Sequence, residues 1–319
     1  MEIRRLGESG LPVSVVGLGC NNFGRRIDRD ASLAVVRAAL DAGITLFDTA
    51  DTYGTPHGAS ESLLGEGLKG GRDNAIVATK FGMDMHGANG PDWDARGSRR
   101  YIQRAVEASL RRLDTDWIDL YQLHEPDHLT PIEETLAALT DLVTAGKVRY
   151  IGCSNFAGWR LADASWTASA GGLIPFVSVQ NEYSLLIREI EAEVVPACER
   201  FGVGILPYFP LAHGLLSGKY RRGERPAAGT RLAKRLEVYD HADWDTIEAL
   251  AAYAAERGRT LLDVAIGGLA AQPCVASVIA GATTPEQVHA NVAAGSWEPT
   301  PADLAALDEI VPPQRLERG

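Results

Sequence analysis

The sequence predicts an α/β fold, a (β/α)8 TIM barrel built as one domain over residues 1–319. Three observations predict it. Eight short apolar, strand-like runs occur near residues 15, 45, 76, 118, 149, 177, 204 and 276. A helical pattern follows each run, giving roughly one strand–helix unit per 30–35 residues. No linker-like or low-complexity stretch interrupts the alternation. Sustained over about 300 residues, it favours a closed barrel over an open doubly wound sheet.

In order, residues 3–14 read as a hairpin with Gly7-Glu8-Ser9-Gly10 as its turn, placed to close the barrel floor. Val15–Leu18 is the first strand. Asp28 or Asp30 caps a helix over 31–42 that Gly43 stops. Strand 44–48 follows, then a helix from Ser60 to near Gly70. Ala75–Thr79 is a strand ended by Lys80, and a Gly-rich loop, 82–97, carries Trp93. Ser98 caps a helix to about Leu113. Strand Trp117–Leu123 ends at His124, and Thr130-Pro131 opens a helix to Ala145, with proline in the first turn. Strand Val148–Cys153 ends at Ser154-Asn155, before a helix over 158–168. Phe176–Val179 is a strand ended by Gln180-Asn181, followed by a helix over Glu189–Phe201. Strand Val203–Leu206 ends near Tyr208, and a long loop over 209–240 breaks the rhythm. Extra helices near 243–257 and 260–271 precede the last strand, Val275–Ile279. Thr284-Pro285-Glu286 then opens a helix to about Ala294, and a final helix spans 302–310.

Composition narrows the function classes. Hydrophobic residues make up 45% of the chain, enough for a substantial core. The net charge of −11 argues against nucleic acid or an anionic membrane as a partner, but not against a small anion in a locally basic pocket. The four cysteines, Cys20, Cys153, Cys198 and Cys274, are widely spaced and read as small core residues. The first residues lack the apolar stretch of a signal peptide, and no run has the length of a membrane span. A soluble, cytoplasmic protein is expected; its oligomeric state is left open.

Polar residues at strand ends carry most of the information, because a barrel of this kind builds its site there. Asp48 ends the second strand, and Tyr53 lies in the loop after it. Lys80, His124, Ser154-Asn155, Gln180 and Tyr208 stand at the next five strand ends. Taken singly, each has a plain structural alternative: a cap, a solvated charge, a satisfied core histidine, a turn residue. Together they suit one chemistry. Asp48 pairs with Lys80, and the ammonium lowers the pKa of Tyr53. The phenol then serves as general acid to an oxygen forming from an aldehyde or ketone, while His124 orients that oxygen. The protein has no hydride donor of its own, so a cofactor is required. Ser154, Asn155 and Gln180 suit a carboxamide, and Tyr208 offers a face to a flat ring, as a nicotinamide needs.

The residues now resemble a family. DTADTYG at 48–54, ATKFG at 78–82, LYQLHEPD at 120–127, GKVRYIGCSNF at 146–156, SVQNEYS at 178–184, YFPLAHGLLSGKY at 208–220 and IAGATTPEQVHAN at 279–291 are similar, in this order, to the aldo-keto reductases. The resemblance implies Asp48, Tyr53, Lys80 and His124 as a catalytic tetrad with Tyr53 as proton donor. It implies Ser154, Asn155 and Gln180 at the nicotinamide carboxamide and Tyr208 stacked on the ring, with Leu211, Gly281 and Thr283 also in the cofactor site. Many members carry Lys-Ser and then Arg at the phosphate end, where this chain has Gly281, Ala282 and Gln287. That departure resembles the bacterial and potassium-channel β-subunit-like branches, in which the long loop supplies the basic residues. Lys219 and Arg231 are the matching candidates here, with a solvated loop arginine the alternative for Arg231. The N-terminus of the last barrel helix near Thr283–Glu286 adds backbone donors, and Gln287 and Asn291 face the adenine. Phe209 stands where relatives often have Ser, which removes a pyrophosphate contact. NADP(H) is the expected cofactor, NAD(H) the alternative, and a small-molecule carbonyl compound the substrate. Asp51 receives no role.

Loop 19–24 is expected to line the substrate pocket, with Asn22 and Phe23 near the carbonyl and Trp93 as a further wall. Two apparent motifs are set aside. His124-Glu125-Pro126-Asp127-His128 spells the HExxH zinc pattern, but that pattern needs a helix, which Pro126 disrupts. Gly17-Leu18-Gly19 lacks the third glycine of a dinucleotide fingerprint, which would fall at Asn22. No metal is expected. Two competing classes are a nucleotide-binding regulatory subunit with little turnover and a metal-dependent hydrolase using His124 and His128.

Overall fold

The expected N-terminal hairpin is present: β1 (Ile3–Arg5) and β2 (Pro12–Ser14) pair antiparallel, Ile3 opposite Ser14. In a computed structural model of the chain, which describes residues 1–314, the hairpin closes the bottom of a barrel. Leu6, Leu11 and Val13 pack on Leu46, Ala78, Leu120 and Leu206 from inside the sheet. The turn fits because Gly7 has φ +58° and no side chain; a Cβ there would lie 2.4 Å from the Gly202 carbonyl oxygen.

Eight parallel strands form the barrel wall. They are β3 (Val16–Gly19), β4 (Leu46–Asp48), β5 (Ile76–Phe81), β6 (Ile118–Leu123), β7 (Val148–Ser154), β8 (Ser178–Gln180), β9 (Gly204–Ile205) and β10 (Val278–Gly281). Their order is β10-β3-β4-β5-β6-β7-β8-β9. The ring closes where the Ile205 N–H donates to Cys274 O at 2.7 Å and the Ala276 N–H donates to Ile205 O at 3.0 Å. Val275 and Ala276 are used in that closure, so the last ladder strand starts three residues later than its apolar run suggests. At the opposite end of the reading, β5 continues through Lys80 to Phe81, so the lysine is inside the strand and points into the barrel mouth.

The helices form an outer ring: α1 (Arg29–Asp41), α2 (Ala59–Gly67), α3 (Arg99–Leu113), α4 (Ile132–Thr144), α5 (Gly158–Gly171) and α6 (Val194–Phe201). Caps are where side-chain chemistry puts them. Asp28 accepts from the Ala31 N–H and Ser98 from the Tyr101 N–H. The helix expected over Glu189–Phe201 is instead a 3-10 turn at Glu189–Glu191 followed by α6. Pro196 explains the break: its ring clashes with a helical carbonyl four residues back.

The 209–240 loop is not structureless. It holds 3-10 turns at Ala212–Ser217 and Leu232–Lys234 and a short α7 (Leu236–Asp240). Leu215, Leu216, Leu232 and Tyr239 form a second core against α8 (Trp244–Glu256) and α9 (Leu261–Ala270). α10 (Pro285–Ala294), capped by Thr284, and α11 (Pro301–Ile310) complete the chain. Among the described residues no helix is long and apolar enough to cross a membrane.

Candidate active site

Three neighbouring strands, β4, β5 and β6, with the loop after β4, bring Asp48, Tyr53, Lys80 and His124 together. Lys80 is fully buried, and its Nζ donates to Asp48 Oδ1 and Oδ2, both at 2.8 Å, and to Thr49 O at 2.9 Å. The buried cation is thereby both ion-paired and hydrogen-bonded, as its burial requires. The same ammonium lies 5.0 Å from the centroid of the Tyr53 ring. The Tyr53 and His124 rings meet edge to face, centroids 5.9 Å apart. His124 is 7% exposed, and its Nδ1 is buried without a hydrogen-bond partner among the described residues.

Burial governs the electrostatics here. It opposes the Lys80 charge, but Asp48 and the Tyr53 phenol outweigh it and hold the lysine above its ordinary value. Burial pushes the Tyr53 phenol up; Lys80 pulls it down, and Asp48 adds to the rise. The net direction is upward, against the expected lowering by Lys80. A phenol in that state keeps its proton at neutral pH. His124 is pushed well below its usual range, first by burial and then by Lys80, so its imidazole is neutral.

The amide-bearing residues surround this group, but not all face outward. Gln180 Nε2 donates to Asp48 Oδ1 at 2.8 Å, which turns its amide onto the carboxylate. Ser154 Oγ donates to Gln180 O at 2.8 Å. Asn155, at φ +60°, donates through Nδ2 to His124 O at 3.0 Å and accepts the Tyr208 hydroxyl at 2.9 Å. Asn155 thus ties the histidine to the aromatic ring at the next strand ends.

These residues open onto a cavity of about 760 Å³, within the range of small-molecule sites. It is lined by Asp48, Tyr53, His124, Ser154, Asn155, Gln180, Tyr208, Leu211, Lys219, Arg231, Gly281, Thr283, Gln287 and Asn291. Asn22 also lines it, but away from the carbonyl end: its Nδ2 donates to Ala282 O at 3.2 Å, and Arg231 Nη2 donates to its Oδ1 at 3.4 Å. Two expectations are corrected. Phe23 is fully buried in the barrel core and does not line the cavity. Trp93 is 63% exposed, with its ring under the Arg100 guanidinium; an aromatic in a loop found a cation partner on α3 instead of a pocket. A wider, open groove of about 910 Å³ runs along α3 past Arg99, Arg104 and Arg111, away from the strand ends.

At its far end the cavity is basic. Arg25, Arg26, Lys219 and Arg231 all line it, in a chain whose net charge is −11. Burial and then Arg26 and Arg235 push the Arg231 guanidinium below its ordinary value. Arg25 and Arg26 are absent from the sequence reading. Nothing periodic marks them, and only the fold brings them to Gly229–Arg231; Arg26 Nη2 donates to Gly229 O at 3.4 Å. Thr52, Met83, Glu125 and His213 are further wall residues that the reading missed.

The zinc pattern has no helix. Residues 124–131 follow β6 as irregular chain; His124 is buried while His128 is exposed and meets Arg160 Nη2 at 3.2 Å. Among the described residues no three His, Cys, Asp or Glu side chains are grouped as a metal site.

A profile described as "Aldo/keto reductase family" matches residues 15–312. The chain is 38% identical to "Uncharacterized oxidoreductase YrpG" of Bacillus subtilis (strain 168), covering 98% of this chain and 96% of that protein. It is 34% identical to "Versiconal hemiacetal acetate reductase" of Aspergillus parasiticus over 100% of this chain and 99% of the relative. It is also 34% identical to "Probable aldo-keto reductase 1" of Glycine max, over 97% and 88%.

Proposed function

Because this chain belongs to the aldo/keto reductase family, we propose that it reduces small aldehydes or ketones to alcohols with NADPH, Tyr53 donating the proton. Oxidoreductase activity on small carbonyl compounds follows from the family; the cofactor and the residue roles are proposed. The observation that carries it is the triple contact of Lys80 with Asp48 and Thr49 beneath a protonated Tyr53 and a neutral His124.

The residues fit a nicotinamide dinucleotide. Tyr208 supplies an aromatic face beside Ser154 and Asn155, and the basic end supplies charges short of an anion. The bound nicotinamide would supply the hydride. The chain's own work is on the oxygen. Tyr53 gives its phenolic proton as negative charge builds there, and Lys80 stabilises the phenolate left behind. Asp48 keeps Lys80 charged and aimed. The neutral imidazole of His124 donates one hydrogen bond to the same oxygen and so fixes the carbonyl. Arg231, Lys219, Arg25 and Arg26 would hold phosphate, which favours NADPH over NADH.

The test is NADPH oxidation against a panel of aldehydes and ketones. Tyr53→Phe should abolish turnover and leave NADPH binding near wild type; a fully active variant would refute the assignment of Tyr53. Tight NADPH binding with no turnover of any carbonyl compound by the wild type would favour a regulatory nucleotide-binding role.

A further inference from the structure

Asp51 lies between two tetrad residues and takes no part in the chemistry above. It is fully buried and does not line the cavity. Its backbone N–H donates to Lys80 O at 3.2 Å, the Tyr53 N–H to Ala50 O at 3.1 Å, and the Ser60 N–H to Tyr53 O at 3.1 Å. The segment that carries Tyr53 is therefore a tight turn pinned to β5 and to the start of α2.

The side chain reaches a second polar group behind the cavity. Asp51 Oδ2 accepts from Asn89 Nδ2 at 2.9 Å. Asn89 comes from the 82–97 loop, yet it is only 6% exposed. Its Oδ1 accepts from Arg112 Nη1 at 3.1 Å, and Arg112 Nε donates to Glu61 Oε2 at 2.6 Å. Glu61 Oε1 accepts from Thr79 Oγ1 at 2.6 Å. The path starts two residues before Tyr53 and returns to the residue preceding Lys80, through the loop, α3 and α2.

We propose that Asp51 is a positioning residue: through Asn89 it clamps the 82–97 loop onto the Tyr53 turn and so sets the phenol against Lys80 and the Met83 side of the cavity. The clamp rests on the reading of Tyr53 as proton donor. It needs an uncharged hydrogen-bond acceptor at position 51, not a negative charge. Two carboxylates, Asp51 and Glu61, share one buried pocket with a single guanidinium, and Glu61 has both of its oxygens engaged. Among the described residues Asp51 Oδ1 has no hydrogen-bond partner, and Tyr101 and Tyr121, which also face it, are themselves buried phenols. Burial first and Glu61 next drive the Asp51 carboxyl well above its usual range, in keeping with a neutral acid.

The experiment compares Asp51→Ala, Asp51→Asn, Asn89→Ala and the Asp51→Ala/Asn89→Ala double variant. Loss of the clamp displaces a reacting group, so each alanine variant should lose about ten- to a hundred-fold in kcat. NADPH affinity, read by fluorescence quenching, should stay near wild type. The double variant should be no worse than Asn89→Ala alone, because that substitution already removes the Asp51 bond together with the Arg112 bond. Asp51→Asn should recover most of kcat, since its amide oxygen accepts the Asn89 bond without a charge. Amide hydrogen exchange supplies a readout apart from turnover. Peptides over 49–54 and 86–91 should exchange faster in the alanine variants and at the wild-type rate in Asp51→Asn. Wild-type kcat and exchange in Asp51→Ala overturn the proposal, and so does an Asp51→Asn variant as impaired as Asp51→Ala. Retained turnover in Tyr53→Phe would instead overturn the underlying reading, while the exchange data still decide whether the clamp exists.

Discussion

Gln180 Nε2 donates to Asp48 Oδ1 at 2.8 Å, across the barrel mouth from β8 to β4. The carboxylate that neutralises Lys80 is thus held from both sides. Gln122 adds a longer contact to the same oxygen, at 3.4 Å. The amide of Gln180 is committed to the tetrad and has less left for a cofactor than its strand-end position suggests. Gln180→Ala should therefore lower kcat more than it weakens NADPH binding. A hydrogen bond to a charged group contributes about 1.5–3 kcal/mol, so a loss of about ten- to a hundred-fold in kcat is expected. Gln180→Glu places a second carboxylate beside Asp48 and should be worse. Steady-state kinetics with fluorescence titration of NADPH check this; a change confined to the cofactor Kd would return Gln180 to the carboxamide.

Tyr53 and Lys80 set the alkaline behaviour. Burial raises the phenol above its ordinary value of 10.0 although Lys80 pulls it down. As the proposed general acid, Tyr53 must be protonated, so kcat for reduction should hold level through neutral pH and fall only above about pH 10. His124 is already neutral through that range and adds no limb near its ordinary value of 6.5. Lys80→Met removes the group proposed to stabilise the phenolate. Its kcat should collapse at neutral pH, and the remaining alkaline limb should move to higher pH. A wild-type limb near pH 7 would show that another group titrates with the reaction.

His213 makes acid stability testable at one residue. Burial, and then Arg235 and Arg231, push it down to about 4 from 6.5. The unfolded chain takes up a proton below pH 6.5 that the native imidazole refuses. Its contribution to stability is therefore complete above pH 6.5 and is lost as pH falls toward about 4. His213→Gln cannot titrate. Measured by urea unfolding, the stability of this variant relative to wild type should improve as pH drops through that window and be flat above it. A difference that does not vary with pH would remove His213 from the acid response.

What was legible in the sequence was what local chemistry encodes. The eight strands, most helix caps and the hairpin follow from periodicity and from single capping residues such as Asp28 and Ser98. Asp48, Lys80 and His124 were legible because each stands where an apolar run stops and a barrel opens. Arg25 and Arg26 were not, since their place depends on a loop 200 residues later folding back beside them. Trp93 and Phe23 show the converse. An aromatic in a loop says nothing about which way it turns: one went to an arginine, the other into the core. Asp51 could be seen but not interpreted, because its partner Asn89 lies in a loop with no pattern.

The basic end of the cavity is where the proposed NADPH preference can be tested. Arg231 is half-buried, with its guanidinium on Asn22 and 5.4 Å from the Phe209 ring centroid, and the charges nearest it are other arginines. Such a convergence is costly without an anion, and the adenosine 2′-phosphate is the group that separates NADPH from NADH. Replacing Arg231 by Met keeps the packing on Phe209 and removes the charge. A phosphate contact to a charged donor contributes about 1.5–3 kcal/mol, so NADPH Kd should rise about ten- to a hundred-fold while NADH Kd changes little. The salt dependence of NADPH binding should shrink with it, as one fewer charge meets the phosphate. Arg26→Met tests whether the loop after β3 shares the same group. A loss there of similar size for NADPH alone assigns Arg26 to the 2′-phosphate, whereas equal losses for both nucleotides assign it to the pyrophosphate. Equal Kd changes in Arg231→Met for the two nucleotides would contradict the NADPH preference.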